Sequence, residues 1–222
     1  MAISPTPHAR SAAAAAASAP LMMAIPGLSF TDAYFEAMSG LTTTGSTVLT
    51  GLDSLPPSVN LWRHALHWFG GLGIIVLAVA VLPLLGVGGM QVYKAESPGA
   101  VKDEKLTPRI TQTAKALWLV YTGITAAGVI ALHAAGMTWL DAICHSFSAI
   151  GLGGFSTHDS GVGYYNSAAV EFVLILIMLT ACMNFSRHFM AVQKLSLAPY
   201  LRDTEAKAIL IVLGTSIVGI TL

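Results

Sequence analysis

The sequence predicts an all-α membrane protein built from parallel helix–loop–helix repeats, on three observations: scarce charge, widely spaced apolar runs and an internal duplication. Charged residues make up 10% of the 222-residue chain and hydrophobic ones 55%, with mean hydropathy +0.70. Soluble domains hold about 25% charged and 45–50% apolar residues. So few charges cannot cover a water-soluble globule of this length, which excludes that class. The 11 basic and 11 acidic side chains cancel, leaving no global field for nucleic acid or for an oppositely charged protein. The partner that the composition does require is membrane lipid.

Taken in order, residues 1–25 contain six consecutive alanines, Ala12 to Ala17, and carry Arg10 as their single charge. They read as low-complexity or mis-started sequence, with a weak A-x-A signal peptide as the competing reading. Leu61 to Leu85 is an apolar run broken only by Arg63, His64 and His67 near its start. At about 1.5 Å per residue it exceeds the roughly 30 Å hydrocarbon layer. Ala114 to Ala135 forms a second span and Ala168 to Met190 a third. From Ala208 the run AILIVLGTSIVGITL reads as the start of a fourth, cut short at Leu222. Lys94, Lys102, Lys105, Arg109 and Lys115 follow the first span, and Arg187, Lys194, Arg202 and Lys207 follow the third. The positive-inside rule places these basic segments in the cytoplasm and residues 26–60 and 136–167 outside.

Both outside segments open with a short semi-apolar stretch, DAYFEAMSGLTTTGST from Asp32 and DAICHSFSAIGLGGFST from Asp141. Ungapped, they pair Asp32 with Asp141, Ser39 with Ser148, Leu41 with Ile150 and Gly45 with Gly154, always 109 residues apart. Two crossings separate the copies, so the repeat is parallel and both copies face outward; an inverted repeat would have put them on opposite faces. The stretch before the glycines enters the protein as a short helix with its aspartate at the positive end of the helix dipole. Extended backbone returning at membrane depth is tolerated only when buried in protein or lining a watery cavity. Glycine permits the dihedrals that aim successive carbonyls at one axis, and several such loops replace an ion's hydration shell, as in a potassium-channel filter. The surroundings suit a cation: Asp32, Glu36, Asp53, Asp141, Asp159 and Glu171 lie on or near the outer face, with Arg63 the one basic side chain among them.

The segments FTDAYFEAMSGLTTTGST (30–47), WRHALHWFGGLGIIVLAVAVLP (62–83) and SAIGLGGFSTHDS (148–160) resemble the membrane subunit of the bacterial Trk potassium-uptake system, in the Trk/Ktr/HKT superfamily. The likeness runs from about residue 26 to the end. In that family four repeats of outer helix, pore loop and inner helix surround one pore. The resemblance implies that residues 26–90 hold the first pore loop and inner helix, 91–190 a complete second repeat, and 191–222 a cytoplasmic loop and the start of a third. The first outer helix and the later repeats are missing from this match, so a fragment is expected. By motif, the filter positions carried over are Thr43, Thr44, Gly45 and Ser46, matched with Leu152, Gly153, Gly154 and Phe155. Their ligands for potassium, the transported ion, would be backbone carbonyls. The resemblance further implies a multi-pass protein of the bacterial inner membrane with extracytoplasmic pore loops. It also implies a homodimer and a cytosolic nucleotide-binding regulatory subunit, with no covalently bound cofactor.

Other constellations yield weaker signals. His64 and His67 share a helix face but lack a third metal ligand nearby, so packing is expected. His145 and His158 flank the second loop and are expected to be solvated at the outer mouth. Gly70-Gly71-Leu72-Gly73 lacks the lysine of a nucleotide loop and is expected to serve helix packing. Arg63 is expected to snorkel to the membrane boundary, Glu171 to be interfacial, and Cys144 and Cys182 to be buried small hydrophobes. Loop 94–115 could meet anionic lipid or a cytosolic regulator. An intramembrane serine protease using Ser39 is disfavoured: the G-x-S-G glycine is absent and His188 falls at the other side of the bilayer, so no enzyme is expected. The competing transport reading is a secondary cation or solute carrier without a channel-like filter.

Overall fold

The computed structural model describes residues 7–81, 103–201 and 203–221. The end of the first expected span and the basic positions Lys94, Lys102 and Arg202 lie outside the described residues. Among those described, every regular element is helical: α1 (Pro7–Ala24), α2 (Phe30–Leu41), α3 (Pro57–Val81), α4 (Asp103–Ala134), α5 (Trp139–Ile150), α6 (Ala168–Cys182), α7 (Phe185–Lys194), α8 (Ala198–Leu201) and α9 (Thr204–Thr221). Short 3-10 turns at Leu52–Ser54 and Gly161–Tyr165 precede α3 and α6.

Two helix–short helix–helix units result. In the first, α1, α2 and α3 bury Ala17, Leu21, Ala33, Ala37, Val59 and Leu66 against one another. In the second, α4, α5 and α6 enclose Tyr121, Leu132, Met137, Ala142, Ala149, Ile150, Val170, Leu174, Ile177 and Ala181. Helix α3 packs on α4 and α5 and so joins the units. The alanine-rich start is thus a packed helix. Alanine is the strongest helix former, Ala14 and Leu21 are buried, and the Trp62 indole N–H reaches the Ala17 carbonyl at 2.9 Å.

Helix α3 opens with Pro57 at its first position, where no N–H is needed. Its 25 residues rise about 37 Å, enough to cross a bilayer. Among the described residues, the single unbroken helix both long and apolar enough to cross is Ala114–Ala134 of α4. Helix α4 stops at Gly136, which has φ 112°, while Met137 N–H closes back on the Leu132 carbonyl at 3.1 Å, the glycine-terminated cap expected at a helix end.

The third expected span is not one straight helix. Helix α6 ends at Cys182, and the direction changes by 100° into α7. Met183 adopts an extended conformation (ψ 154°), and the His188 ring stands below the break, bonded to the Thr180 carbonyl at 2.8 Å and the Tyr200 hydroxyl at 2.8 Å. The run reads as one span because apolar residues resume after the bend, although Asn184, Ser186, Arg187 and His188 stand at it. Cys144 is buried as expected, but Cys182, the last residue of α6, is exposed.

Candidate functional site

The short helices α2 and α5 begin alike. Ser29 Oγ accepts the Asp32 N–H at 3.1 Å and donates to its carboxylate at 2.7 Å. Thr138 Oγ1 does the same for Asp141, at 3.2 and 2.7 Å. Each pair satisfies an orphan donor and puts an anion at the helix N-terminus.

They also end alike. Thr42, Thr43 and Thr44 N–H donate to Met38, Gly40 and Ser39 carbonyls at 2.9, 3.0 and 2.9 Å. In the second unit, Gly151, Leu152 and Gly153 N–H donate to Phe147, Ala149 and Ser148 at 3.3, 3.1 and 2.9 Å. Every partner lies at the matching repeat position. The chain then turns through left-handed residues at the same two places: Thr43 (φ 53°) and Leu152 (φ 55°), followed by Gly45 (φ 77°) and Gly154 (φ 90°). Left-handed threonine and leucine are costly, on the order of 1–2 kcal/mol each. Strain of this kind clusters at functional segments.

The two return strands meet. A Cβ on Gly45 would lie 1.7 Å from the Gly153 carbonyl oxygen, whereas one on Gly154 would meet nothing within 4 Å. Helix α3 supports both strands through its small residues. A Cβ on Gly70 would press on the Leu41 carbonyl at 2.4 Å, and one on Gly71 on the Tyr121 hydroxyl at 2.7 Å and Gly151 Cα at 3.1 Å. Gly70 and Gly71 therefore pack the ends of α2 and α5 onto one helix, as expected, whereas a Cβ on Gly73 would meet nothing within 4 Å.

Behind each strand a buried polar side chain stands at the equivalent repeat position, and in the second unit Asp141 adds a bond from Thr157 Oγ1 at 2.7 Å. In the first unit Glu36 accepts from Thr47 Oγ1 at 2.9 and 3.0 Å and from Val48 N–H at 3.2 Å, while Leu49 N–H donates to Thr47 Oγ1 at 3.1 Å. In the second, the His145 Nδ1–H donates to the Asp141 carbonyl at 2.9 Å and Nε2 meets Ser156 Oγ at 3.2 Å. His158 N–H donates to that same Ser156 Oγ at 3.1 Å. His145 is therefore buried, not solvated; the return strand folds over it.

Arg63 also departs from expectation. Its side chain and that of Glu36 are both 0% exposed. Nε donates to Glu36 Oε1 at 2.7 Å, Nη2 to Thr47 Oγ1 at 3.2 Å, and Nη1 to Asn60 Oδ1 at 3.3 Å and to the Ser156 carbonyl at 3.4 Å. Its guanidinium carbon lies 4.4 Å from the Phe155 ring centre. A carboxylate within reach makes burial cheaper than snorkelling. A lone basic residue on an apolar helix requires a counter-charge, but the sequence alone does not say which carboxylate folds against it.

The other histidines pack. His64 Nδ1–H donates to the Asn60 carbonyl at 2.7 Å, and His67 bonds Ser148 Oγ at 3.2 Å while stacking on Phe155 with centres 4.1 Å apart. No group of three or more potential metal ligands exists among the described residues. Outside these helices, His158 bonds Asp53, whose second oxygen accepts the Asp159 N–H at 3.2 Å, and its other nitrogen stands 3.7 Å from Asp141. The His158 hydrogen bond, and then the Asp159 N–H, hold the Asp53 carboxyl below its ordinary pKa. Glu171 is exposed in the first turn of α6, in keeping with an interfacial role.

Comparison with known proteins agrees with this architecture. A family model described as TrkH, cation transport protein, matches residues 4–222. The Trk system potassium uptake protein TrkH of Halomonas elongata is 52% identical over 202 residues, covering 90% of this chain and 42% of the relative. TrkH of Escherichia coli K12 is 52% identical over 197 residues (89% and 41%), and TrkG of the same strain 46% over 192 (86% and 40%). The crystal structure of the potassium transporter TrkH from Vibrio parahaemolyticus superposes with TM-score 0.79 at 44% identity, covering 91% of this chain and 40% of that one. The chain spans about two-fifths of the length of these relatives. With two capped half-helices packed on one helix, α3, and a match running almost end to end, the chain belongs to the TrkH family of cation transport proteins.

Proposed function

We propose that this segment contributes two carbonyl-lined loops to a potassium-uptake pore, with Thr43 to Ser46 in one and Leu152 to Phe155 in the other as ligands. The carrying observation is the meeting of two return strands with equivalent left-handed residues, tight enough at Gly45 to exclude a side chain. Backbone so turned presents carbonyls without asking anything of side-chain identity, which accounts for TTGS and LGGF occupying the same place. The naming of the relatives for potassium uptake supports the choice of ion. In this reading the protein lies in the bacterial inner membrane with these loops facing outward. It pairs with a second copy, and a cytosolic nucleotide-binding subunit of Trk type meets the basic cytoplasmic face. Residues 26–90 supply one loop and inner helix, 91–190 a whole repeat, and 191–222 the beginning of the next.

The test places this segment in the corresponding region of the E. coli relative, in bacteria unable to take up potassium otherwise. The unmutated chimera restores growth on low potassium; Gly45→Asp and Gly154→Asp reduce uptake to background. Gly154→Asp keeps the test decisive if Gly45→Asp misfolds, since the space at residue 154 is open. Unchanged uptake by Gly154→Asp at normal membrane levels would overturn the reading.

A further inference from the structure

We infer that Arg63 is a positioning residue that sets ion selectivity by fixing the outer end of one loop against the other; this rests on the pore reading above. Its guanidinium is the one charged group described that touches both return strands. Through Glu36 and Thr47 it is anchored behind the first, and through the Ser156 carbonyl and the Phe155 ring it holds the second. Ser156 directly follows the last ligand position of its loop. A carbonyl engaged by a guanidinium is not available to an ion, so Arg63 ends the row of ligands there and fixes its distance from the opposite strand.

The asymmetry of the repeat supports this role. The position of Glu36 is taken by His145 in the second unit, and His145 holds Ser156 Oγ as Glu36 holds Thr47 Oγ1. In the second unit the matching hydroxyl is therefore met without an ion pair, His145 taking Ser156 Oγ at 3.2 Å and Asp141 taking the next hydroxyl, Thr157 Oγ1, at 2.7 Å. An ion pair kept only to hold a strand is unnecessary, and a buried pair adds little net stability over apolar replacement. What the pair adds is reach: arginine's planar fork serves Glu36, Thr47 and Ser156 at once, a geometry lysine cannot reproduce.

Three variants separate this role from a structural one, each read as membrane level, potassium KM and the potassium-to-sodium uptake ratio in the chimera. Arg63→Met alone leaves a buried carboxylate unpaired and lowers the amount inserted. Arg63→Met with Glu36→Gln removes both charges while the glutamine keeps accepting from Thr47, so insertion recovers. Arg63→Lys retains the charge. Both the double variant and Arg63→Lys are expected to insert normally yet lose selectivity by about tenfold, the scale of one charge-assisted hydrogen bond. An unaltered ion ratio and KM in both would overturn the inference. Gly154→Asp run alongside separates the two failures. If it still transports, the pore reading falls; if it is silent while Arg63→Lys keeps the parental ratio, only the role of Arg63 falls.

Discussion

Behind the first half-loop, the buried group that receives the return strand is a carboxylate, Glu36; behind the second, at the same register, it is an imidazole, His145. The backbones they serve are alike from cap to left-handed turn, with Ser29 matching Thr138, Thr43 matching Leu152 and Gly45 matching Gly154. The shape of the half-loop is thus set by capping, helix termination and backbone dihedrals. The side chain behind it needs only to bond the returning hydroxyl. Charge at that position does something else, coupling the first loop to Arg63 and, through it, to the second.

That contrast can be broken by removing each group. Glu36→Ala strands Arg63 without a counter-ion and is expected to cost about 3–5 kcal/mol. His145→Ala loses neutral hydrogen bonds and some volume, about 1–3 kcal/mol. Denaturant or thermal unfolding of the purified transporter compares them, and equal costs would remove the distinction. A smaller effect comes from the glycines. Gly154→Ala meets only the left-handed penalty, about 1–2 kcal/mol, whereas Gly45→Ala adds a collision with the Gly153 carbonyl. Gly45→Ala should therefore be the more destabilising in the same assay, and the reverse order would contradict the strand contact. The smallest effect belongs to the outer link. Because Asp53 is held below its ordinary pKa, its contribution is present above the usual carboxylate range and is lost only as pH falls through the lowered value. Asp53→Asn should remove it at every pH, read as faster hydrogen exchange of the Asp159 amide. Unchanged exchange would show the link to be inert.

The duplication was legible because its carriers are small or capping residues at fixed spacing. Asp32 with Asp141 and Gly45 with Gly154 predict equal helix starts and equal turns, and α2 and α5 fall in the same register. The packing role of Gly70 and Gly71 was likewise readable, since a glycine pair inside an apolar helix has few other uses. The burial of Arg63 was not, because a membrane-boundary arginine obeys the snorkelling rule unless a carboxylate 27 positions away in sequence is brought within 2.7 Å. Nor was the bend after Cys182, which depends on His188 and Tyr200 taking up groups at the break. An alanine run reveals helix propensity but not what it packs on, so α1 came only with the structure. Local pattern carried the half-loops, and long-range pairing carried what joins them.

The central claim, that the two half-loops form one ion pathway, is tested most directly by potassium uptake through Gly154→Asp. Aspartate tolerates the left-handed region better than most residues, and a Cβ there meets nothing within 4 Å, so the variant meets the left-handed penalty without a collision, and its membrane level is read alongside uptake. The account predicts uptake at background with the protein present in the membrane at the parental level. Uptake at the parental rate would contradict it.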